Sequence, residues 1–100
     1  MFPNAQNLFY SQKRSKEMID LSFNDKMILI QYAIQKYENE AILIEKLKTV
    51  LSEKDAQRGI DTLIGTQHVR RIGPEILENN ISHTELPDLP DHLKPIIDNL

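Results

Sequence analysis

The stretch Asn24–Ser52, NDKMILIQYAIQKYENEAILIEKLKTVLS, decides how the rest of the chain is read. Met27, Ile30, Ile34, Tyr37, Ala41, Ile44 and Leu51 recur at alternating steps of three and four, the period of a helix with a packed seam, and Lys48 is the one break. Ser22 or Asn24 can accept an amide hydrogen bond at its start, with Asp25 against the positive end of the dipole. The spacing therefore predicts one helix over residues 24–52. Such a helix would be about 42 Å long, against a diameter of about 33 Å for a compact domain of this size. It should overhang its own core.

A helical projection places Leu29, Ile30, Ala33, Ile34, Tyr37, Ala41, Ile44, Leu47 and Leu51 in one arc of about 160°. Ile28, Tyr32, Ile42, Leu43 and Val50 fall outside it. Fully burying a large aliphatic side chain is worth about 1.5–3 kcal/mol, so these residues are expected to meet a partner or another segment of the chain.

Outward from this stretch, Ser52-Glu53-Lys54-Asp55 repeats the capping logic and marks the start of a further helix that buries Ala56, Ile60, Leu63 and Ile64. Gly65 is a plausible stop, with a further helical turn through Val69 and Ile72. Gly73-Pro74 is firm punctuation, and Pro74 suits the first position of a short helix through Glu78. Towards the N-terminus, Asn4 can cap a helix to about Leu21 that holds on through Leu8, Phe9, Met18 and Ile19. With 100 residues, three glycines and no cysteine, one domain is the limit, helices are favoured over turn-rich sheets, and disulfide or thiolate chemistry is excluded. The predicted fold class is all-α: an elongated helical hairpin or small three-helix bundle with one long central helix. It would span residues 1–82 and be followed by a proline-containing tail, 83–100.

In that tail Pro87, Pro90 and Pro95 forbid one continuous helix. Leu86, Leu89, Leu93, Ile96, Ile97 and Leu100 recur among acids, giving a stiffened apolar ribbon that can fill successive pockets in a partner or close the chain's own core. The net charge is −3, and residues 73–100 hold one base against six acids, so the body is nearly neutral. Such a tail repels nucleic acid and suits a basic protein surface.

No catalytic constellation emerges. His68, His83 and His92 lack a spacing that joins them to a nucleophile, and His83, Glu85, Asp88, Asp91 and His92 match no metal-ligand pattern. There is no phosphate-cradling glycine loop and no zinc-protease pair. The N-terminus has neither a basic start nor an apolar stretch behind it, and no apolar run approaches the roughly 20 residues of a membrane span. A soluble, cytoplasmic location is expected.

The expected function is non-enzymatic protein association by an adaptor, regulator or chaperone-like binder, with no cofactor or metal. Its partner is another protein or a second copy, met through Ile28, Tyr32, Ile42, Leu43, Val50, Leu86, Leu89 and Leu93. The alternative is a dimeric nucleic-acid-binding transcriptional regulator using Lys13, Arg14, Lys16, Arg70 and Arg71. A helix-turn-helix with its turn at Gly65 would aim Gln67, Arg70 and Arg71 at a duplex. Asp61 then stands where a small residue should pack, and Gly73-Pro74 cuts the second helix short.

Overall fold

The computed structural model describes residues 21–100. The N-terminal helix expected over 4–21, with Lys13, Arg14 and Lys16, lies almost wholly outside the described residues. The fold is α+β rather than all-α. Helices α1 (Phe23–Lys36), α2 (Glu40–Leu47) and α3 (Glu53–Gly65) are followed by strands β1 (Val69–Gly73) and β2 (Ile76–Asn79) and by a short helix α4 (Lys94–Asp98).

The long central helix does not form. Ser22 caps α1, its Oγ accepting from the Asp25 amide at 3.1 Å, but the helix ends at Lys36 and Tyr37 turns extended, with φ −137° and ψ 94°. Asn39 then caps α2, its Oδ1 accepting from the Ile42 amide at 3.1 Å. Two long-range hydrogen bonds hold the break open: Leu77 N donates to Glu38 O at 2.9 Å and Glu40 N donates to Glu75 O at 2.7 Å. Asn39 forms an antiparallel bridge to Ile76. Asparagine competes with helical backbone bonds and favours caps, and the hairpin supplies what the helix gives up.

The break also rotates the buried face. Leu43 and Leu47 are completely buried, whereas Ala41, placed on the predicted seam, is exposed. Four consecutive apolar residues, Ala41–Ile44, fit either rotation, which is why the periodicity runs through the interruption unchanged.

After a turn over Lys48–Leu51, Ser52 caps α3, Oγ accepting from the Asp55 amide at 3.0 Å. Ala56, Gly59, Ile60 and Leu63 are buried and Ile64 is half-buried. Gly59 sets the closeness of α3 to α1: a β-carbon there would overlap Ile30 Cδ1 and lie 2.8 Å from Met27 Cε. The helix does stop at Gly65, but the left-handed residue of the following turn is Gln67, with φ 67°.

Val69–Ile72 and Ile76–Glu78 are strands rather than the expected helical turns. Their register pairs Val69 with Asn79, Arg70 with Glu78, Arg71 with Leu77 and Gly73 with Ile76, with a bulge between Arg71 and Gly73. On β2 Leu77 and Asn79 are buried and Ile76 and Glu78 half-buried, the period-two alternation of a strand with one face on the core, whereas on β1 only Val69 is buried and Arg70, Arg71 and Ile72 are exposed. Pro74 and Glu75 form the turn, Glu75 adopting φ 62°. Asn79 fastens the hairpin to α1, its Nδ2 donating to Gln31 O at 2.8 Å.

Residues 87–100 run along α1. Leu93 and Ile97 are buried in the core. Tyr32 Oη donates to Pro87 O at 2.7 Å, Lys36 Nζ to Ile97 O at 2.8 Å and Tyr37 Oη to Leu100 O at 2.6 Å. His92 Nε2 lies 2.9 Å from Asp25 Oδ2.

Candidate nucleic-acid interface

α2 and α3 are consecutive helices joined by a short turn after Lys48, and the β1–β2 hairpin follows directly. The amphipathic pattern of α3 separates its faces. Its apolar side meets α1, and Glu53, Lys54, Arg58 and Asp61 are exposed on the other, with Gln57 half-buried among them. Gln57 Nε2 donates to Asp61 Oδ1 at 3.3 Å, which orients the amide along the helix. Lys48 sits over the turn, 3.4 Å from Glu45 and 3.8 Å from Glu53.

α3 is tied to α1 by Lys26 and Asp55, Nζ to Oδ2 at 3.0 Å. The hydrogen bond and charge of Lys26 hold the Asp55 carboxyl below the ordinary aspartate range. Desolvation opposes this, and Arg58 and the Ser52 hydroxyl add smaller downward effects. This pair fixes the start of α3 beside the turn.

On the hairpin, Arg70 Nη2 meets Glu78 Oε2 at 3.3 Å across the strands, and Arg71 Nη1 pairs with Glu40 Oε1 at the start of α2. Exposed Ile72 occupies the bulge and exposed Pro74 the turn. Residues 40–79 carry six bases and seven acids, and residues 80–100 carry one base and four acids. The acid excess is concentrated in residues 80–100, and α2, α3 and the hairpin together are close to neutral.

The residues expected to contact a protein partner are dispersed. Ile28, Leu43 and Leu93 are in the core; Tyr32, Val50, Leu86 and Leu89 are half-buried; Ile42 is 49% exposed. The structure brings Tyr32 to the tail backbone at Pro87. Val50 lines a shallow surface hollow with Pro95, Ile96 and Leu100. Arg70 and Arg71 come together on β1, not on a helix as the Gly65 alignment required.

The sequence reading did not consider the outward face of α3, because it looked for a second helix after Gly65, where the structure has strand β1. The signal was present: a capping Ser52 after a short apolar helix, and a mid-helix glycine at Gly59 where two helices approach. Among the described residues no group of three or more His, Asp or Glu side chains converges as a metal site. None of the described helices is long and apolar enough to cross a membrane. Comparison with protein-family models, curated proteins and solved structures finds no match.

Proposed function

We propose that the chain is a non-enzymatic, double-stranded DNA-binding regulator of the winged helix-turn-helix kind, with a cytoplasmic location. In this reading α3 enters the major groove, which is wide enough to admit a helix. The β1–β2 hairpin lies against the neighbouring backbone as a wing. Dimerisation would present two α3 helices to half-sites one helical turn apart. The carrying observation is the order helix, turn, helix, hairpin, with Lys54 and Arg58 exposed on α3 and Arg70 and Arg71 exposed on β1. The function assigned rests on that architecture and on the chemistry of those side chains.

Lys48, Lys54 and Arg58 are the cations on the turn and on α3. Three phosphate contacts give a salt slope of about −2.7, a loss of about 40-fold in affinity between 50 and 200 mM salt. Fluorescence anisotropy with a labelled mixed-sequence duplex measures this. Arg58→Ala together with Lys54→Ala should reduce binding and flatten the slope. No binding of the wild-type chain at 50 mM salt refutes the proposal.

A protein-binding role is the second reading, favoured by the balance of two acids and two bases at the charged positions of the α3 face, Glu53, Lys54, Arg58 and Asp61. Ile42, exposed on α2, would join such a surface. Association that survives 200 mM salt and is lost on Ile42→Asp would select it.

A further inference from the structure

We propose that Glu78 is a built-in competitor for a backbone phosphate, holding Arg70 of the hairpin neutralised until a duplex displaces the carboxylate. This rests on the reading of the hairpin as a wing and adds how that wing is regulated. Arg70 and Arg71 are the only cations of the hairpin, and both are paired: Arg70 with Glu78, its register partner on β2, and Arg71 with Glu40. A guanidinium donates in a fixed fork that fits carboxylate and phosphate alike. Each carboxylate therefore occupies the position a phosphate oxygen would take.

The two pairs are unequal. The Arg70 and Glu78 side chains keep 54% and 41% of their surface in solvent, so that exchange with phosphate costs little. The Glu40 side chain is only 14% exposed and sits in the first turn of α2, where the helix dipole also favours its charge. Arg71 is accordingly held as a brace between α2 and the hairpin, and Arg70 is the arginine that Glu78 controls. An arginine already neutralised releases fewer counterions on binding, so the native hairpin contributes less affinity and less salt dependence than its composition suggests.

The test is Glu78→Gln in the full chain, with Glu78→Ala as a second variant, titrated against the same labelled duplex at 50 and 200 mM salt. Releasing one arginine should steepen the log–log salt slope by about 0.9 and add about 3.5-fold to the affinity lost over that salt range. Affinity at 50 mM should rise by at least as much, and adding Arg70→Ala should cancel the gain. Wild-type binding with no change in affinity or slope on either substitution overturns it and leaves the DNA-binding reading standing. No binding by the wild type or by any variant overturns both.

Discussion

Leu93→Ala tests whether the segment along α1 is part of the core. Leu93 is completely buried, and Leu→Ala at such sites costs about 2.7–5.0 kcal/mol from lost transfer energy and the cavity left behind. Leu93 enters from a segment secured by only a five-residue helix, which can settle into the space, so the lower end applies, about 3 kcal/mol. For a domain of this size that lowers Tm by about 12–24 °C. Removing residues 87–100 also takes away Ile97 and the hydrogen bonds from Tyr32, Lys36 and Tyr37. At about 1 kcal/mol per hydrogen bond and about 2 for Ile97, the total reaches about 8 kcal/mol, comparable with the whole stability of a small domain. Thermal unfolding by circular dichroism, with urea titration for the m-value, measures both. Loss of less than about 1 kcal/mol in Leu93→Ala, or a truncated chain that still melts cooperatively near the wild-type Tm, would refute the placement of this segment in the core.

Asn39→Ala removes the cap of α2 and should cost about 1 kcal/mol in urea unfolding, while Ser52→Ala should cost a similar amount at α3. Glu75→Gly relieves a left-handed backbone conformation that a side chain disfavours and should raise stability by about 0.5–1 kcal/mol. Asp55 has a lowered pKa in the fold, so its contribution is complete above the ordinary aspartate value, 3.8, and is lost as pH falls from there through the lowered value. Carboxyl NMR titration should place Asp55 below its ordinary value, and Lys26→Met should return it there.

The starts of α1 and α3 were legible from their serine caps, whereas the equally local cap at Asn39 was masked by the apolar pattern running through it. Ser22 and Ser52 each bond an amide three residues on, and the short-range pattern contains everything needed to find them. The break at Tyr37–Asn39 was not legible, because its hydrogen bonds come from Glu75 and Leu77, far along the chain. The apolar residues on both sides serve the same core, so their spacing carries no mark of the interruption. The hairpin was misread for a related reason. Val69-Arg70-Arg71-Ile72 and Ile76-Leu77-Glu78 are each too short to separate a strand from a helical turn by periodicity. Gly73-Pro74 was recognised as punctuation, but the left-handed Glu75 that completes the turn has no sequence signature, glycine or asparagine being usual there. Of the candidate interface, Arg70 and Arg71 were found as residues and placed on the wrong element.

The proposed function requires that α3 and the hairpin both meet duplex DNA. A titration of the isotopically labelled chain with a short duplex, followed by amide NMR, tests it most directly. DNA binding through α3 and the hairpin puts the largest shifts on Lys54–Asp61 and Val69–Gly73, fading as salt is raised, with Leu93–Leu100 unmoved. Shifts centred on the tail and α1, or no shifts at low salt, would contradict it.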